Sequence, residues 1–451
     1  MKNVKLSKFW DSLQSSYWFI PAVTAVVAII LAFVMLTLDR SGNNINWWWI
    51  YTGGPDGARG ILSAVASSMI SVAATAFSIT IVALQLAASN FGPRLLRNFM
   101  QDIGNQVVLG TFIGTFIYSL LVLRTIHGDG DGYNEFVPQL SVTVGIILAI
   151  MSIAVLIYFI HHASTIIQAS HVIQAVSDDL DKAIDRLFPE KIGYSQLQQP
   201  QQIGEINANI EAESSPIKAN DNGYLQVIDA EELMKIAEKY NLILRLETRP
   251  GKFVVKGSNL LMLFPGKKVN SKITKEINDA FILGKERTEY QDVEFPINQL
   301  VEIALRAMSP AVNDPFTAIR CIDRLSAGLS RLIQREFPSP YRYDKNHNLR
   351  VIAEPVKFEK LVDRAFNQIR QYAQSDAAVT IRLLEAISTI VTYTNNPKYQ
   401  AVLCRHADMI ARGSHEGLSE KNDREDVHEK YKIITRILEK KNINKVIESK
   451  H

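Results

Sequence analysis

Ile61-Leu-Ser-Ala-Val-Ala-Ser-Ser-Met-Ile-Ser-Val-Ala-Ala-Thr-Ala-Phe-Ser-Ile-Thr80 contains no Asp, Glu, Lys or Arg, and the uncharged run around it extends from Gly60 to Pro93. Roughly 20 apolar residues in helical form cross the hydrocarbon layer, so this run is long enough to span a bilayer and to project beyond it. Trp18 to Leu38, Ile103 to Leu123 and Phe136 to Ile160 are equally free of charge. A central charge costs a few kcal/mol on insertion while Leu, Ile, Val and Phe favour it, so the four runs predict spans at about 18–38, 61–88, 103–123 and 136–160. They define a transmembrane region over residues 1–163 and leave almost three hundred residues too polar to live in lipid.

The charges divide accordingly. Of 49 Lys+Arg and 46 Asp+Glu, only 8 and 7 precede residue 164, which leaves 41 and 39 in the remainder. That remainder is charge-dense and nearly neutral, which argues against nucleic acid as a partner, since a nucleic-acid footprint is a clustered basic face. Lys2, Lys5 and Lys8 precede a first run too long for a signal h-region, which predicts an uncleaved helix. With those lysines inside, Arg94 and Arg97 also fall inside, and the loop bearing Asp129, Asp131 and Glu135 falls outside. Five short-loop basic residues then oppose Arg40, Arg59 and Arg124, which satisfies the positive-inside rule and places both termini and residues 161–451 in the cytoplasm. Cys321 and Cys404 suit a reducing compartment without disulfides. Trp47, Trp48 and Trp49 predict an external loop lying along the headgroup layer.

Span two is rich in small hydroxylated residues. Ser63, Ser67, Ser71 and Thr75 recur every four residues, and Ser78 continues the face. Such a face packs closely against another helix, or forms a pore wall or oligomer axis. Span three carries Gly110 and Gly114, a G-x-x-x-G pair flanked by Thr111 and Thr115. No run holds the ionisable residue that ion-coupled transport ordinarily needs. His161 and His162 follow span four as adjacent helical residues facing different directions, so no shared metal site is expected, and no cofactor is implied anywhere in the chain.

The soluble part reads as an amphipathic helix and polar linker (164–222), a small α+β unit (223–295) and a helical domain (296–451). Ile173, Val176, Leu180 and Ile184 stripe a helix expected to extend span four as far as Phe188, which Pro189 closes. Gly223 to Ile228 reads as a strand, Asp229 as an N-cap, Ala230 to Tyr240 as a helix and Leu242 to Leu246 as a strand. The Gly-x-Phe-Val-x-x-Gly-x-x-Leu spacing from Gly251 to Leu260 is similar to the half-barrel hairpin of biotinyl/lipoyl-like domains, without their modified lysine. A barrel-like β unit is therefore expected. Asp314 before Pro315 is an N-cap with proline at the first helical position. Around it lie Arg287, Thr288, Gln291, Asp292, Arg306, Asn313, Thr317 and Arg320, a polar set expected to meet at one helix start and hold a small anion or a protein partner.

Ser89-Asn-Phe-Gly-Pro-Arg-Leu-Leu-Arg97, Leu109 to Tyr118, Arg287-Thr-Glu-Tyr-Gln-Asp292 and Met308-Ser-Pro-Ala-Val-Asn-Asp-Pro-Phe-Thr317 resemble the signature stretches of the bacterial predicted-membrane-protein family called domain of unknown function 2254. Ala311 stands where that pattern has glycine. The resemblance implies a bacterial inner-membrane topology and no established activity.

The fold class expected is membrane α-helical: an N-terminal four-helix transmembrane region followed by a cytoplasmic α+β domain made of a small barrel-like unit and a helical bundle. Three functions compete. One is a homo-oligomeric channel with Ser67, Ser71, Thr75 and Ser78 on its wall. The second is a membrane-anchored ligand sensor or scaffold. The third, a cytoplasmic-face enzyme, is disfavoured because no Walker loop, G-x-S-x-G, H-E-x-x-H, C-x-x-C pair or Rossmann fingerprint is present.

Overall fold

The computed structural model describes residues 18–41, 48–92, 102–128, 135–166, 168–188 and 213–448. The readings at Lys2, Lys5, Lys8, Trp47, Arg94, Arg97, Asp129 and Asp131, and most of the linker, lie outside these residues. The chain divides into two compact units on either side of the His171–Val172 bond.

The first unit holds four helices long and apolar enough to cross a membrane: α1 (Phe19–Arg40), α2 (Pro55–Phe91), α3 (Ile103–Leu123) and α4 (Gln139–Ile166). α2, with 37 residues, is about 55 Å long at a rise of about 1.5 Å per residue, well beyond the hydrocarbon thickness. α3 packs against each of the other three. Its Gly110 and Gly114 are where α1 approaches: a Cβ on Gly110 would lie 2.5 Å from Thr24 Oγ1 and 3.3 Å from the Pro21 Cα, and one on Gly114 would lie 3.5 Å from Ala28 Cβ. This is the small-residue device that brings membrane helices together without a hydrophobic driving force. Ala32, Leu62, Tyr118, Val122 and Val142 are fully buried around it.

Polar groups close the ends of these helices. Asp39 accepts from the backbone N–H groups of Leu140 and Ser141, each at 2.9 Å, so a residue at the end of α1 caps the start of α4. Asp102 caps α3 by accepting from Asn105 N at 2.9 Å and is also bonded to His162 Nε2 at 2.9 Å. His162 thus has a carboxylate partner at a helix start.

α4 does not run on into the next helix as expected. It ends at Ile166, and α5 (Ala169–Leu187) starts separately. The Ser164 and Thr165 hydroxyls donate back to the carbonyls of His161 at 2.7 Å and His162 at 3.0 Å, a local bonding pattern that competes with helix continuation.

In the second unit α5 buries Val172, Ile173, Val176, Leu180 and Ile184, the face its periodicity predicts. Then come β1 (Ser215–Lys218), β2 (Gly223–Ile228), α6 (Ala230–Tyr240), β3 (Ile243–Leu246), β4 (Phe253–Val254), β5 (Asn259–Phe264), α7 (Ser271–Asp279), β6 (Phe281–Gly284), α8 (Glu294–Ala307) and α9 (Pro315–Leu332). β7 (Tyr341–Tyr343), β8 (Leu349–Ile352), α10 (Phe358–Tyr372), α11 (Ala377–Thr392), α12 (Pro397–Gly417) and α13 (Lys421–Glu448) complete it. Asp229 caps α6 by accepting from Glu232 N at 3.0 Å.

The strands form a five-stranded sheet in the order β1-β5-β3-β8-β7 and a three-stranded sheet β4-β2-β6. The glycine-spaced hairpin of the barrel-like expectation is not a pair. Gly257, at φ 87°, turns the chain so that β4 joins β2 while β5 joins β1 and β3. The α+β unit also reaches past residue 295, because β8 pairs in parallel with β3 through Leu244↔Val351. Leu225, Leu233, Ile236, Leu244, Leu261 and Ile277 fill its core. Helices α8 to α13 pack on one another over Leu325, Phe358, Phe366, Leu383, Ile387 and Leu403.

Candidate functional site

In α2, Leu62, Ala66, Met69, Ala73 and Ala76 are buried, whereas Ser63, Ser67, Ser71, Thr75 and Ser78 are all exposed. With about 100° per residue, Ser71 stands about 180° around the helix from the centre of the buried face. The hydroxyl face therefore points away from the bundle of its own chain, and α3 is met by alanine, methionine and leucine instead. Ser71 Oγ donates to the Ser67 carbonyl at 2.8 Å, Thr75 Oγ1 to Ser71 at 2.9 Å and Ser78 Oγ to Ala74 at 2.9 Å. Each of these hydroxyl protons is satisfied within the helix, and the oxygen remains an acceptor. Beyond Ser78 this face of α2 turns apolar at Val82 and Leu86, and the outward residues of the other two helices include Val26, Val27, Ile30 and Phe33 on α1 and Ile150, Ile153 and Ile157 on α4. Such large aliphatic surfaces suit lipid. Gly110 and Gly114 serve helix packing between α1 and α3.

The polar set of the second unit separates into two groups. At the start of α8, Asp292 is 3% exposed, and its Oδ2 accepts from Arg287 Nε at 3.0 Å and Nη2 at 2.5 Å. Its Oδ1 accepts from Glu294 N at 3.1 Å. Burial pushes the Asp292 carboxyl up and the Arg287 guanidinium opposes that shift. Glu294, also buried, is held by Arg249 at 3.0 Å and Arg364 at 3.3 Å. The Gln291 amide accepts from Ile228 N at 2.9 Å and donates to Ile228 O at 3.2 Å, closing the end of β2. The Thr288 hydroxyl is buried with no hydrogen-bond partner among the described residues. Gly251, at φ 86°, lies directly against the Asp292 carboxylate, where any Cβ would collide. Two buried carboxylates matched by three guanidiniums make a clamp that ties the Arg249 turn, α8 and α10 together.

The second group sits at the far end of α8. Asn313 has φ 49°, Asp314 Oδ1 accepts from Thr317 N at 3.1 Å, and Asp314 N donates to Ala307 O at 2.7 Å. The N-cap read from the sequence is present. Arg306 lies 4.0 Å from Glu302, and Arg320 is exposed. Fourteen residues of α8, about 21 Å of helix, separate this group from Asp292. Arg287, Thr288, Gln291 and Asp292 therefore do not meet Arg306, Asn313, Asp314, Thr317 and Arg320 at one helix start, because α8 runs unbroken between them.

A cavity of about 520 Å³, which the sequence does not foreshadow, opens among Phe188, α6, β3, the Arg249 turn and the segment after β8. Among the described residues no cluster of three or more His, Cys, Asp or Glu side chains is placed to hold a metal ion.

Four helices long and apolar enough to cross a membrane, followed in the chain by a mixed helical and β-sheet unit, are the features of a membrane protein. A family model described as "Predicted membrane protein", domain of unknown function 2254, matches residues 14–389, and the chain belongs to that family. Uncharacterized proteins of Mycobacterium bovis and of two Mycobacterium tuberculosis strains are each 31% identical to it over 423 residues, covering 92% of this chain and 79% of the relative. No solved structure matches.

Proposed function

We propose that the protein is a homo-oligomeric, channel-like protein of the bacterial inner membrane, in which the hydroxyl face of α2 lines a shared axis and the cytoplasmic α+β unit regulates it. One observation carries this reading: between Ser67 and Ser78 the face of α2 furthest from its own bundle bears Ser67, Ser71, Thr75 and Ser78 before it turns apolar at Val82 and Leu86, whereas α1 and α4 turn large apolar side chains outward. A lipid-facing surface gains from Leu, Ile, Val and Phe, and serine gains nothing there. A second copy of the helix, or water, suits this surface better. Closed rotational symmetry brings identical faces together around one axis, and hydroxyl oxygens line it with acceptors. The length of α2 lets it carry that axis beyond the hydrocarbon layer.

Full-length protein in planar bilayers, recorded under voltage and applied tension, tests the reading. Discrete current steps are expected, and Ser71→Leu is expected to alter their conductance while leaving assembly intact. Silence from correctly assembled protein, or unchanged steps in the variant, contradicts it.

A further inference from the structure

The 520 Å³ cavity of the second unit falls within the range of about 300–1,000 Å³ typical of small-molecule sites. Its walls are mostly apolar, with Phe188, Leu233, Met234, Leu246, Val293 and Val356 among them. Six charged side chains also line it. Three of them are occupied: Arg249 by Glu294, Asp292 by Arg287, and Glu247 by Arg245. Arg342, Lys252 and Glu354 carry no ion pair with any described residue.

Arg342 is the unusual member. It is half-buried in β7, and among the described residues its guanidinium donates only to the backbone carbonyls of Ser339 and Tyr341, close by in sequence. Burial lowers its pKa below the usual guanidinium range. The other guanidiniums close to this site, Arg249, Arg287 and Arg364, all have carboxylate partners. A desolvated charge is costly unless paired, and an Arg fork is matched by planar oxyanions.

We propose that this cavity binds an amphiphilic monocarboxylate, its apolar body among Leu233, Met234, Leu246 and Val293 and its carboxylate on Arg342. One guanidinium without a carboxylate partner, Arg342, matches one carboxylate head. The apolar wall requires a hydrocarbon body and excludes a bare anion as a tight ligand. The site differs from the helix start at Asp314, and the inference is independent of whether α2 forms a pore.

The test uses full-length protein in lipid nanodiscs and equilibrium dialysis of radiolabelled decanoate, with empty nanodiscs subtracted. Decanol serves as the neutral probe with the same body, and acetate as the head alone. Saturable binding of one decanoate per chain is expected, with decanol weaker and acetate not bound. Arg342→Gln is expected to weaken decanoate about tenfold or more, the range for a lost charge-assisted hydrogen bond, and to leave decanol unchanged. Ala353→Phe fills the apolar part while leaving Arg342 in place, and is expected to abolish binding of both probes. Decanol binding as tightly as decanoate, or Arg342→Gln without effect, overturns the proposal. So does an absence of saturable binding above empty nanodiscs, or decanoate binding retained in Ala353→Phe, the variant that decides alone should Arg342→Gln not fold.

Discussion

Replacing Asp292 with alanine removes the carboxylate that Arg287 addresses through Nε at 3.0 Å and Nη2 at 2.5 Å, and the acceptor for Glu294 N. Arg287 is itself only 16% exposed, so the variant leaves a largely buried guanidinium with the Phe295 ring as its neighbour at 5.8 Å. Breaking one side of a buried ion pair costs about 3–5 kcal/mol because the remaining charge is uncompensated. Replacing both partners with apolar residues, as in Arg287→Met with Asp292→Leu, removes that orphan charge and is expected to cost less than the single change. Cys321 supplies the readout: it is 0% exposed in the core of the same unit, and burial pushes its thiol pKa far above the usual range. It reacts with an alkylating reagent only after the unit opens. In a Cys404→Ser background, where the folded state recloses faster than the thiol reacts, alkylation tracks the opening equilibrium. Asp292→Ala is expected to accelerate it roughly a hundredfold to several thousandfold. A less than roughly fivefold change, or a double variant as labile as the single one, refutes the reasoning that this pair is a buried clamp.

The Asp314→Ala change removes the acceptor for Thr317 N and is expected to cost about 1 kcal/mol by the same thiol assay, with Asp314→Asn close to neutral. Gly110→Ala and Gly114→Ala should separate in thermal-aggregation measurements of solubilised protein. The first places a Cβ 3.3 Å from the Pro21 backbone and 2.5 Å from Thr24 Oγ1 and is expected to destabilise, whereas the second meets Ala28 Cβ at an ordinary 3.5 Å and is expected to be tolerated. His406, fully buried, has its pKa lowered first by burial, against the opposing effect of the Asp363 carboxylate 3.0 Å away. Its depressed folded pKa means that stability is complete above the unfolded value of about 6.5 and declines as pH falls below it. His406→Gln is expected to flatten the pH 5–7 part of a denaturation series, and an unchanged slope counts against a neutral buried imidazole.

The spans were legible because partitioning sums over some twenty residues, and no tertiary contact can override so large a preference. The caps at Asp229 and Asp314 were legible because an N-cap bonds within three residues. The four-residue recurrence of Ser67, Ser71 and Thr75 located a face of α2, but periodicity carries no information on what a face meets, and only the packing showed that it turns away from its own bundle. β7 and β8 were missed because they are 3 and 4 residues long and β8, which carries β7 at the sheet edge, joins a strand about a hundred residues earlier. The Arg249–Glu294–Arg364 pairs left no trace in local sequence for the same reason. Proximity in sequence misled at α8, where polar residues flanking one helix were read as a single cluster although the helix holds them apart.

The most direct test of the central claim is a cysteine-accessibility scan of α2 in lipid vesicles with a membrane-impermeant thiol reagent, using Cys404→Ser protein in which Cys321 is shielded by burial. A hydroxyl face around a water-filled axis predicts modification at Ser71, Thr75 and Ser78 but not at the exposed apolar positions Ile70, Phe77 and Ile81 on the adjoining surface of the helix. Equal modification of both sets, or protection of the hydroxyl positions, contradicts it.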